Sequence, residues 1–257
     1  MKSKLFTLIV FSGLFLCVNA QIDVNERIKK ERVVRGIVIE GDEEIEGYIK
    51  KVSETRSYDG KTYKAYDNFQ SVITFISKEE FETTEKLKGN MYVKYKPEDI
   101  DGYKYFHENG NVLTYESVIY SDLSDVSLRM IPKKKFLRVE SKGKLSIYTY
   151  FIPLPSAMVG DSYIKKCYED AETPITVYRR ANQIKDSPKM LEYLNIEKEL
   201  ADCPKVVKKY KDGEYNVIGK KGTESKFMKA MNKLAANEEM KYAALMEYNS
   251  GICDGNE

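Results

Sequence analysis

The sequence predicts an α+β protein, with a mainly antiparallel β region first and a helical region after it. Three observations carry this. Short β-branched and Tyr-rich runs punctuated by Gly turns extend from Arg32 to Ala181. Beyond Ser187 the apolar residues fall at helical spacing. The two textures are segregated along the chain and do not alternate, which argues against a βαβ architecture. The expected organisation is a leader over 1–20, a β-rich domain over 21–181 and a helical C-terminal region over 182–257.

The leader, "MKSKLFTLIVFSGLFLCVNA", has Lys2 and Lys4, an apolar stretch from Leu5 to Cys17, and small residues ending at Ala20. That is the pattern of a secretory signal cleaved before Gln21. The apolar stretch is shorter than the roughly 20 residues a spanning helix needs. Phe15 and Leu16 are too bulky for lipid processing at Cys17. The chain is therefore expected to be secreted or periplasmic, with no transmembrane helix in its mature form.

After a charged segment at 21–31, a loose leader or a short helix, "RVVRGIVIE" and "EIEGYIKKV" read as two strands joined by a Gly41-Asp42 turn. "SVITFIS" (71–77) and "NMYVKYK" (90–96) are further strands, with a helical turn or loop between them. "GYKYF" is expected to pair with "NVLTYESVIY" across Asn109-Gly110, a strong hairpin signal. "KKFLRVE" and "KLSIYTYF" form a second hairpin around Ser141-Lys142-Gly143, with Gly143 placed for positive φ. In its second strand Leu145, Ile147 and Phe151 share one face, and Ser146, Tyr148 and Tyr150 the other. That alternation suggests a sheet with one solvated face, and Lys133 to Lys135 suggest a charge-protected edge. "TPITVYRRA" (173–181) is a late strand. The twenty Tyr, against no Trp, fit half-exposed sheet surface.

Helices follow. Ser187-Pro188 predicts a helix start, and Leu191, Tyr193 and Leu194 its apolar stripe. Asp202 is expected to cap "CPKVVKKYK", with Val206, Val207 and Tyr210 on one face and Gly213 closing it. The last helix is expected over 225–248, with Asn237 as a break.

Removing Lys2 and Lys4 with the leader leaves forty basic residues against forty acidic, so the mature net charge is zero. A nucleic-acid binder is not expected from that balance. Chemistry-bearing motifs are few. The single His, His107, lies beside an Asn-Gly turn and reads as a surface residue; it excludes a His-pair metal site and leaves one candidate for a His-dependent triad, with no G-x-S-x-G elbow to supply the nucleophile. In "GKKGTESK" (219–226) the lysines precede the second Gly, so phosphate cradle and cation cannot coincide. "DIDG" (99–102) and "DLSD" (122–125) are too short for a calcium loop and read as turn-forming Asp. No catalytic, cofactor or metal residues are assigned, and no cofactor is expected.

Several short motifs, namely Ala20-Gln21, Gly47-Tyr48-Ile49, Pro97 to Tyr103, Phe136 to Tyr148, Asp202-Cys203-Pro204 and Tyr248-Asn249, recur together. In this the chain resembles a group of uncharacterised secreted proteins of Bacteroidetes-type bacteria. The resemblance implies a cell-envelope setting and carries no activity or site residues. The function expected is a non-enzymatic binding or structural module with an unknown envelope protein or ligand as partner. The alternative is a carboxylate-dependent hydrolase, which needs only two of the forty acids to converge in space.

Three cysteines remain after the leader: Cys167, Cys203 and Cys253. In an oxidising compartment thiols pair, and three single pairings are possible. Cys203–Cys253 is preferred, because antiparallel packing of the last two helices would bring the end of one beside the start of the other.

Overall fold

A computed structural model describes residues 23–58, 60–120, 133–151, 174–216 and 226–253. The leader with its cleavage point, the acidic pair at 122–125, Cys167 and most of 219–226 lie outside these residues.

Twelve strands are described. Ten form one antiparallel sheet in the order β12-β11-β10-β9-β8-β7-β1-β2-β5-β6. Their ranges are β1 Val33–Glu40, β2 Glu43–Lys50, β5 Ile73–Ser77, β6 Val93–Tyr95, β7 Gly102–Phe106, β8 Val112–Tyr120, β9 Lys133–Ser141, β10 Leu145–Tyr150, β11 Ile175–Arg180 and β12 Lys189–Met190. β3 (Thr55–Tyr58) and β4 (Lys61–Lys64) make a separate hairpin. The helices are α1 Val24–Glu31, α2 Lys78–Thr83, α3 Ile196–Glu199, α4 Pro204–Lys211 and α5 Lys226–Asn249. Strands first and helices mostly last is the α+β plan, although the helical region is modest and α1 and α2 fall outside it.

Cross-strand register assigns two faces. One, the front, carries Val38, Ile49, Tyr103, Tyr115, Phe136 and Ile147. The back carries Arg35, Tyr48, Glu116, Leu137, Tyr148 and Arg179. At the C-terminal end of the sheet, Leu145, Ile147 and Tyr178 pack with Leu200, Val206, Leu245 and Tyr248 of the helices. At the N-terminal end the front is closed by Phe69, from a 3-10 turn over Tyr66–Gln70, and by Ile100. There the back receives α1 and α2, where Val33, Tyr48, Ile76 and Phe81 form a small core. Arg27 of α1 donates to the carbonyls of Phe81, Thr84 and Glu85 at 2.6–2.7 Å, so it satisfies the exposed C-terminal carbonyls of α2.

The glycine at 47 has a packing reason. A Cβ there would stand 2.2 Å from the Ile76 carbonyl oxygen and 2.4 Å from the Phe75 ring. Gly41 and Gly110 hold the two predicted turns at φ +60° and +87°.

Several expectations are corrected. β10 is buried on both faces, so the sheet has no solvated side there, and Tyr148 and Tyr150 are wholly inaccessible. The lysines at 133–135 lie on β9, an interior strand between β8 and β10. Among the described residues ten Tyr are core, not surface. Gly143 does not adopt positive φ. Its lack of a Cβ instead admits the Asn249 side chain, which would stand 2.2 Å away from one. Ser187-Pro188 starts no helix: 189–190 pairs with β11 as β12, a 3-10 turn follows, and Tyr193 is 70% exposed. Asp202 does not cap α4, whose cap position is Cys203. α5 runs through Asn237 unbroken, and that side chain accepts a 2.8 Å bond from the Tyr210 hydroxyl.

Cys203 and Cys253 stand at disulfide distance, with Cα atoms 5.5 Å apart. The packing reason holds too. Lys209 of α4 meets Glu247 of α5 at 2.6 Å and Tyr210 meets Asn237, so the helices run antiparallel.

Candidate functional site

Two places gather polar side chains, and they differ in whether anything is left to bind a partner. The first lies where α4 and α5 meet the β9–β10 hairpin. The Tyr248 hydroxyl donates to Asp202 at 2.8 Å, and Lys144 pairs with the same carboxylate at 3.5 Å. The Asn249 carboxamide donates to the Leu145 carbonyl at 2.7 Å and accepts from its N–H at 3.4 Å. It thus replaces the strand partner that β10 lacks at that end. Gln70 does the same at the other end, donating to the Phe151 carbonyl at 2.6 Å and accepting its N–H at 2.7 Å. Burial raises the Asp202 carboxyl, but Tyr248, its own backbone N–H and Lys144 outweigh it and hold the group below the usual range. Every group here is satisfied within the chain. The Cys203–Cys253 pair belongs to this clasp, which has a structural character.

The second place is a groove of about 260 Å³ on the back face, where α2 leans over β1 and β2. It is lined by Arg35, Ile37, Glu46, Tyr48, Lys78, Glu82 and Phe106, with the Gly36 and Gly47 backbones. Ser77 ends β5 and caps α2, accepting the Glu80 N–H, so the helix starts directly over the strand. Lys78 and Glu82, four residues apart, then face β2 together. Lys78 donates to Glu46 at 2.9 Å, and the Tyr48 hydroxyl donates to Glu82 at 2.7 Å. Nearby on the same face Lys104 donates to Glu44 at 2.6 Å.

Arg35 sits directly across from Tyr48. The register pairing Gly36 with Tyr105 brings Phe106 to its other side. Arg35 is exposed and forms no ion pair among the described residues; its guanidinium bonds the Tyr48 hydroxyl and its charge adds to the lowering of Glu46. Burial first, then the bond to Glu82, push the Tyr48 hydroxyl up to about 12. The hydrogen bond from Lys78, then its charge, hold Glu46 below the ordinary carboxylate value.

Of the two acids of this groove, Glu46 is not set up as a proton donor: a glycosidase acid is held protonated by its surroundings, and Lys78 does the reverse to it. A second acidic pair, Glu192 and Glu238, has one member raised by burial and then by the other's charge. Lys241 fills the space beside them, donating to the Glu192 carbonyl at 2.5 Å.

His107 meets Glu54 at 2.6 Å, and its Nδ1 accepts from the Asn109 N–H. Asp99 and Asp101 serve turns: one accepts the Lys96 N–H at 2.7 Å, the other the Gly41 N–H at 2.8 Å. Among the described residues no group of three His, Cys, Asp or Glu could hold a metal, and no helix is long and apolar enough to cross a membrane.

Sequence reasoning missed the groove. Its residues come from β1, β2, α2 and β7, and only register brings them together. Comparison with known families, with characterised proteins and with solved structures finds no match to this chain.

Proposed function

We propose that this chain is a secreted or periplasmic binding module of a cell envelope, non-enzymatic, in the manner of the Bacteroidetes-type secreted proteins it resembles. Its partner seats in the groove under α2. The observation that supports this reading is Arg35: an exposed cation with no ion pair among the described residues, set in register between Phe106 and Tyr48. The cysteine pair at disulfide distance supports an oxidising compartment.

The test is capture of a partner from the native envelope by wild type and by Ile37→Tyr, which fills the groove floor. Ile37 is half-buried on the back face, so the substitution leaves the front core intact, as a thermal melt would verify. Capture by wild type and its loss in Ile37→Tyr is the expected result. Equal capture by both contradicts the groove reading.

A further inference from the structure

The groove has a chemistry as well as a shape. We propose that it accepts a single carboxylate, an acidic side chain projecting from a protein partner, with Arg35 as the anchor. This rests on the reading that the groove is where a partner binds.

The case begins with the nearby acids. Glu46, Glu44 and Glu82 are each engaged, by Lys78, Lys104 and the Tyr48 hydroxyl. Arg35 forms no ion pair with any of them among the described residues; its charge reaches Glu46 and its guanidinium bonds the Tyr48 hydroxyl, which leaves the rest of its five-donor fork for a ligand. A guanidinium offers a planar fork of donors that matches a carboxylate with two parallel bonds. Phe106 and Tyr48 flank it in a row across three strands. Tyr48 is buried against Phe81, so the half-buried Phe106 is the aromatic surface left for the aliphatic stem of Glu or Asp.

Charge sets the valence. Arg35 and Lys78 stand against Glu46 and Glu82, so the lining is balanced. Any anion here also meets Glu46 and Glu82, so a dianion is repelled twice as strongly as a monoanion, and the one cation without an ion pair matches a single negative charge. Size sets the source. Pockets that engulf a free small molecule run from about 300 Å³ upward and bury most of it. This groove, at about 260 Å³, is smaller and opens on a sheet face. It suits one side chain whose parent stays outside.

The experiment is a ¹⁵N-resolved NMR titration of the chain with N-acetyl-glutamic acid α-amide and with its glutamine counterpart. The acid should give saturable shifts at the Arg35 Nε–H and the Ile37 and Phe106 amides, and the amide should give far smaller ones. Arg35→Gln should weaken the acid at least roughly tenfold, the value of a lost charge-assisted hydrogen bond. Lys142→Gln, outside the groove, should leave it unchanged. Equal shifts from acid and amide, or undiminished binding by Arg35→Gln, overturn the proposal. No localised shift with the acid, while Ile37→Tyr still abolishes capture, overturns the carboxylate and spares the groove. Unchanged capture by Ile37→Tyr overturns the groove itself.

Discussion

The two ends of the sheet are built from the same strands and finished differently. At the C-terminal end β10 is buried on both faces, its ends are closed by Gln70 and Asn249, and the helices over it are fastened by Cys203 and Cys253. At the N-terminal end the front face is equally buried, but on the back face Arg35 is exposed and Phe106 half-buried, beside the buried Tyr48. Where every polar group is satisfied internally, substitutions should cost stability. Where an exposed cation has no ion pair, they should cost binding and little else. That contrast teaches how to tell a polar cluster that holds a fold from one that faces a partner.

The largest effect should come from the clasp. Converting Cys203 and Cys253 together to Ala releases a loop of fifty residues. Chain entropy alone assigns this about 4 kcal/mol, an upper figure because strain and residual structure reduce it. Urea unfolding measures it, and a loss below about 0.5 kcal/mol, the scale of an ordinary surface change, would break the contrast at its firmest point.

Next is Gly47→Ala, which sharpens the comparison by showing that the open end is firm beneath its surface. The new methyl meets a backbone carbonyl and the Phe75 ring, neither free to move away. Overpacking of this kind costs about 3 kcal/mol. A neutral outcome in the same melt would mean the strands there can part.

Asn249→Ala should cost about 2 kcal/mol, because it leaves the Leu145 N–H and carbonyl without their partner. Gly143→Ala should mimic it by displacing the same carboxamide, and the double variant should cost little more than either alone. Additive losses would separate the two residues and contradict the shared contact.

The smallest effect is with pH. Tyr48 in the groove and Tyr248 in the clasp are both raised, each to about 12, by burial first and then by a carboxylate that accepts their hydrogen bond. A raised folded value favours the neutral form in the native state. The associated stability is whole below the ordinary value of 10 and lost as pH climbs towards 12. Tyr248→Phe should flatten part of that decline. An unchanged slope would remove Tyr248 from it.

Much of the fold was legible because it follows from local chemistry. β1–β2 and β7–β8 announce themselves through alternation and through Gly41 and Gly110 at positive φ. The antiparallel helix argument reached Cys203 and Cys253 from spacing alone. The failures are failures of context. The Asp-Gly pair at 59–60 marks the β3–β4 hairpin, a signal present in the sequence and passed over. Ser187-Pro188 has the local form of a helix start, yet β11 offers ladder bonds to 189–190 and Leu191 and Leu194 are buried from there. The Tyr-rich strands read as surface because nothing local shows that Gln70, Asn249 and the helices will cover them. The groove was out of reach for the same reason: Arg35 and Phe106 become neighbours only once β1 has paired with β7.

The central claim is the division between a clasp that holds and a groove that binds. Partner capture, measured on Arg35→Gln and Asn249→Ala at equal folded fraction, tests it most directly. Capture lost by Arg35→Gln and retained by Asn249→Ala is the outcome this account predicts. Capture retained by Arg35→Gln and lost by Asn249→Ala would place the binding surface at the clasp and contradict it.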